Sequence, residues 1–134
     1  MSSNPSTAAP ATADPGIDYD LIGELRELAE EEPAFLPDLF AAFVLDGTHR
    51  SCAIDTAAAQ ADWPALGRAA HGLAGAAATI GARQLSGLCR ALEADLKRGA
   101  APQAGAQPLV EERVREIRAE LERATPLLET LLRP

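Results

Sequence analysis

The chain has two histidines, two cysteines and twenty carboxylates, and one of these groups stands in unusual company. His71 lies in the stretch AHGLAGAAATIGA, with Gly72 and Gly75 beside it and alanines after it. If Leu66 marks zero on a helical wheel, Leu66, Ala70, Leu73, Ala77 and Ile80 fall within about 40° of that direction, a core-facing stripe. His71 then points about 140° away, to solvent. A lone helical histidine is ordinarily a satisfied core residue, and this direction argues against that reading. An exposed helix face normally carries Glu, Lys, Gln or Arg. Each interior glycine costs about 1 kcal/mol relative to alanine, so Gly72 and Gly75 need a compensating reason. Open access to the imidazole supplies one.

With an ordinary pKa of about 6.5, imidazole is largely neutral at pH 7, and a ring nitrogen is then a nucleophile. Hydrolysis would need an orienting carboxylate, an oxyanion hole and a cleft, and no motif arranges these around His71. A metal site would need several ligands, yet His49 is far off on an earlier predicted helix, and no metal is expected. Cys52 and Cys89 fall in apolar settings and are expected to be core thiols. A nucleophile on an open face among cations fits transient phosphorylation by another protein, the cations stabilising the transferred group.

Those cations stand out because the surrounding charge is acidic. The net charge is −8. Residues 1–62 carry 12 acidic against 2 basic side chains. Residues 63–99 carry Arg68, Arg83, Arg90, Lys97 and Arg98 against Glu93 and Asp95, and 100–134 are nearly balanced. Nucleic acid is excluded as a natural partner, since a polyanion would meet repulsion over most of the surface. A local basic island suits a small anion or an acidic patch on a protein.

The elements that must hold this site are helical. Ala and Leu together fill 47 of 134 positions, while β-branched and aromatic residues are scarce, which excludes an all-β fold. No apolar run approaches the roughly 20 residues of a membrane span, and the first residues lack a signal-peptide pattern. Two distant cysteines make no disulfide framework, so a cytoplasmic protein with free thiols is expected. Residues 1–16, rich in Ser, Thr, Ala and Pro, are expected to form a disordered arm, followed by one helical domain over 17–134. A short helix is predicted in 17–32, with Leu21, Leu25 and Leu28 near helical spacing. A second covers 34–60 after Pro33, carrying Phe35, Phe40 and Phe43 into the core, with Gly47 as a point of bending. Asp62-Trp63-Pro64 reads as a cap and first-turn proline for a third helix. Trp63 is assigned to packing, and Glu30–Glu32 and His49 to the solvated surface. Gly81 separates the third helix from a fourth over 82–98. Residues 99–108 are a flexible connection, and a last helix starts at Leu109, with Pro126 expected to kink or break it. This order predicts an all-α, up-down-up-down antiparallel four-helix bundle with an additional short N-terminal helix.

The run Ala70-His71-Gly72-Leu73-Ala74-Gly75, followed by Ile80-Gly81-Ala82, Leu85, Leu88-Cys89 and Leu92-Glu93, resembles the histidine-containing phosphotransfer (HPt) domain. Weaker likeness extends back through Phe35-Leu36-Pro37-Asp38-Leu39-Phe40 and forward through the last helix. The resemblance implies that His71 accepts a phosphoryl group from the aspartate of a receiver domain, in a hybrid sensor kinase or response regulator, and passes it to another. It implies a phosphocarrier without kinase activity or cofactor of its own, Mg²⁺ being held by the receiver, and a monomer is expected. Gly75 would leave room for the phosphoryl group, and Arg68, Gly72, Gly75, Ala78 and Thr79 would form the docking face. Glu93 is a candidate to orient the imidazole. The family usually has lysine three residues after the histidine, where this chain has Ala74; Arg68, Arg83 and Lys97 are candidates to supply that charge. The alternative is a module that docks a receiver or other protein without being phosphorylated.

Overall fold

The computed structural model describes residues 13–99 and 107–134. They form five helices: α1 (Tyr19–Leu28), α2 (Phe35–Ala59), α3 (Trp63–Ile80), α4 (Arg83–Lys97) and α5 (Gln107–Leu131). Among the described residues the one β feature is an isolated bridge between Ile17 and Ala82. Helices α2, α3, α4 and α5 close a ring in which α2 packs on α3 and α5, and α4 packs on the same two. Contacts across two of these interfaces give the direction. Ala74 and His71 of α3 meet Ser86 and Glu93 of α4. Gly47 and Asp55 of α2 meet Leu121 and Arg118 of α5. Position numbers rise on one helix as they fall on its neighbour, so these pairs are antiparallel.

Local chemistry explains the joints. Asp62 caps α3, its carboxylate accepting from Ala65 N at 3.2 Å, with Pro64 in the first turn where no N–H is needed. Gly81 ends α3 at φ 88°, a left-handed conformation that suits glycine, and a Cβ there would lie 3.3 Å from Ile22 Cδ1. The α3 stripe (Leu66, Ala70, Leu73, Ala77 and Ile80) is buried in full, in one core cluster with Leu85, Cys89 and Leu92 of α4 and Ile54 of α2. Burial pushes the Cys89 thiol up to about 12, so it stays protonated and inert.

Several expectations are corrected. Residues 13–16 do not belong to a loose arm. Ile17 is 1% exposed, Gly16 O accepts from Gln84 N at 3.1 Å, and the Asp14 carboxylate pairs with Arg123 of α5. A buried isoleucine fixes the chain just ahead of it despite a polar composition. Residues 1–12, and 100–106 of the expected connection, lie outside the described residues. Leu28 is 64% exposed; Ile22 and Leu25 carry the buried face of α1 instead. Cys52 is on the surface. Helix α5 does not break at Pro126. Pro126 and Glu122, whose carbonyl loses its usual donor, both lie on the exposed side of the helix, while Ala124, Leu128 and Leu132 hold it against the core. Helix α2 likewise runs through Gly47, which faces Leu121.

Candidate functional site

Because the opposite stripe of α3 is anchored, the His71 side chain stands out and is 70% exposed. Its Nδ1 lies 3.0 and 3.3 Å from the two carboxylate oxygens of Glu93 on α4. An ionised carboxylate only accepts, so in the neutral ring Nδ1 carries the proton and Nε2 keeps its lone pair for solvent or a visitor. Glu93 is itself largely covered, and Lys97 Nζ sits 3.6 Å from its Oε2, one helical turn on. The imidazole is thereby fixed in one tautomer by a carboxylate that is in turn neutralised.

An open groove of about 700 Å³ runs beside the ring, between the start of α3 and the end of α4. Trp63, Pro64 and Leu96 give it an apolar floor, and Arg68 and Lys97 put cations on its walls. Arg68 makes no ion pair among the described residues. Further along α3, Gly75 has nothing within 4 Å of where a Cβ would be, and Ala78 and Thr79 are exposed, the Thr79 hydroxyl donating to Gly75 O at 2.9 Å. Arg68, Lys97, Glu93 and Gly75 are thus gathered around His71.

Two residues are placed elsewhere than expected. Arg83 sits at the far end of the α3–α4 face, where its Nη2 donates to Pro15 O at 3.1 Å and Ile17 O at 3.3 Å. The antiparallel register puts it beside the Gly81 turn, ten residues along α3 from the level of His71, or about 15 Å. It cannot share His71's anion. Gly72 is not bare: a Cβ there would collide with the guanidinium of Arg50, at 2.7 Å from Cζ. Ala74 is 1% exposed, and its carbonyl accepts from buried Ser86 Oγ at 3.0 Å. The side chain at 74 therefore lies in the core, away from the open surface.

Arg50 is the residue that sequence reasoning missed. It lies in the acidic first half of the chain, and only the pairing of α2 with α3 brings it to Gly72. Trp63 packs on the core, as its place at the start of α3 predicts, and it also lines the groove. The remaining cations of the basic stretch are occupied: Arg90 Nε donates to Ser86 Oγ, and Arg98 pairs with buried Asp95, which also binds Arg113 Nε at 3.0 Å. Among the described residues no group of three or more His, Cys, Asp or Glu could hold a metal ion.

The family model described as Hpt domain matches residues 24–125. The crystal structure of histidine-containing phosphotransfer protein B (HptB) from Pseudomonas aeruginosa PAO1 is similar at TM-score 0.59 and 27% identity, covering 85% of this chain and 97% of that one. Comparison with curated proteins gives no match.

Proposed function

The chain belongs to the Hpt domain family, with a histidine phosphotransfer role in a phosphorelay, and on that premise we propose that His71 is the phosphoryl acceptor and donor. The observation that carries this reading is the Nδ1 contact to Glu93, which leaves Nε2 free on an exposed ring. The Nε2 lone pair attacks the phosphorus of an aspartyl phosphate on a receiver domain. The N–P bond forms as the acyl O–P bond breaks, and the electron pair returns to the aspartate carboxylate. Nδ1 keeps its proton, donating to Glu93, and the carboxylate offsets the positive charge that develops on the ring. Onward transfer is the reverse with a second receiver.

This domain supplies a nucleophile and a docking face and needs no cofactor; Mg²⁺ belongs to the receiver. Gly75 lets the receiver's phosphoryl-bearing aspartate approach closely, with Arg68 and Lys97 as flanking cations and Ala78 and Thr79 as a flat continuation of the face. The protein acts as a monomer in the cytoplasm. No described helix is long and apolar enough to cross a membrane.

Incubation with a phosphorylated receiver is expected to leave an acid-labile, base-stable phosphate on wild type and none on His71→Gln. Equal labelling of both removes the reading. A chain that stays unlabelled, yet binds the receiver after His71→Ala and loses it when a bulky residue replaces Gly75, is a docking module instead.

A further inference from the structure

A phosphoryl group on Nε2 brings about two negative charges beside Glu93, and the groove side alone meets them poorly. Lys97 is already shared with the Glu93 carboxylate, which leaves Arg68 on that flank. The opposite flank is occupied by Arg50. Its guanidinium reaches from α2 across onto α3 at Gly72, where the missing side chain gives it a seat. Its Nε donates to Asp46 Oδ2 at 2.8 Å, one turn earlier on α2, so the planar group is held by one edge. Both Nη nitrogens are without a carboxylate among the described residues.

Helical geometry says what lies between the two groups. With His71 at zero and about 100° per residue, Gly72 projects at about 100° and Gly75 at about 40°, one turn on. Gly75 therefore projects in a direction between the imidazole and the Arg50 seat, about 6 Å further along the axis than His71, and the space above it is empty. A tetrahedral anion attached to His71 has this opening beside it, with a guanidinium on the far wall. Guanidinium matches phosphoryl oxygens well, because its planar donors make charge-assisted, often bidentate bonds.

We propose that Arg50 closes the α2 side of the phosphoryl site: it binds the oxygens of the group carried by His71, while Asp46 positions it and Gly72 makes room for it. The proposal rests on His71 being the acceptor. It gives the acidic half of the chain a direct part in the chemistry and makes the vacancy at position 74 tolerable, since the charge arrives from another helix.

Phosphoramidate tests this without any receiver. The Nε2 lone pair forms the N–P bond, the P–N bond of the donor breaks, and ammonia leaves with the electron pair. Phosphohistidine formation and hydrolysis are followed by ³¹P NMR in wild type, Arg50→Ala, Arg50→Lys, Gly72→Ala, Arg68→Ala and His71→Gln. Arg50→Ala is expected to slow formation or speed hydrolysis by about five- to tenfold, a partly screened charge-assisted contact, with Arg50→Lys recovering part of it. Gly72→Ala keeps every charge and improves helix propensity, yet displaces the guanidinium; it is expected to shift the same rates in the same direction without lowering the melting temperature. Rates alike in Arg50→Ala and wild type overturn the proposal, as does the whole loss appearing in Arg68→Ala alone. No label on His71 in wild type, from phosphoramidate or from a receiver, overturns the acceptor reading and this inference with it.

Discussion

The two ends of the α3–α4 face carry similar side chains and use them in opposite ways. At the Gly81 end, Arg83 is spent on the carbonyls of Pro15 and Ile17, Arg90 on Ser86, and the chain entering α1 lies across the turn through the Ile17–Ala82 bridge. At the His71 end, Arg68 and Lys97 line an open groove and Gly75 faces empty space. Arginine count alone therefore says little about where an anion binds. What matters is whether local carbonyls, hydroxyls and carboxylates have already saturated the donors. One end is built for cohesion, the other for contact.

That contrast can be broken deliberately. The largest effect is expected at the closed end: Ile17→Ala removes a fully buried side chain and should cost about 2–5 kcal/mol, read as a lower urea midpoint. Phosphotransfer per folded molecule should stay unchanged; a parallel loss of transfer would show the two ends to be coupled. A smaller effect of opposite sign is expected at the open end. Gly75→Ala replaces an interior helical glycine in free space and should stabilise by up to about 1 kcal/mol, yet slow transfer from a receiver; faster or unchanged transfer would mean the phosphoryl group does not approach there. The smallest concerns Asp14. The Arg123 side chain, and then the Gly16 N–H, hold its carboxyl below the usual carboxylate value. A depressed folded value means the stabilisation is complete above the unfolded value and is lost as pH falls through the folded one. Wild type should therefore lose more of its melting temperature than Asp14→Asn on acidification below about pH 4. Identical acid profiles would exclude Asp14 from the closure.

Local arithmetic reads well from this sequence. The outward direction of His71 follows from the Leu66–Ile80 stripe, the start of α3 from Asp62 and Pro64, and its end from Gly81, because each depends on residues within a turn or two. The all-helical architecture follows from the same periodicities. What could not be read is whatever depends on register between distant helices. Arg83 and Arg50 are both basic residues on predicted helices, and only the antiparallel pairing sends one away from the imidazole and brings the other to it. The break that Pro126 could have made is absent for a related reason: tertiary packing of Leu128 and Leu132 outweighs one lost hydrogen bond on an exposed face. The order at residues 13–16 depends on where a single isoleucine docks, which polar composition around it conceals.

The docking of Ile17 beside the Gly81 turn also decides how the molecule can be handled. A fluorophore, affinity handle or surface tether joined at residue 13 leaves near the Gly81 turn, about 15 Å along α3 from the level of the imidazole. Immobilising the protein by that point should keep the attachment clear of the reactive ring. A truncation that instead begins where the family match does, at residue 24, discards that anchor and exposes the apolar seat beneath it.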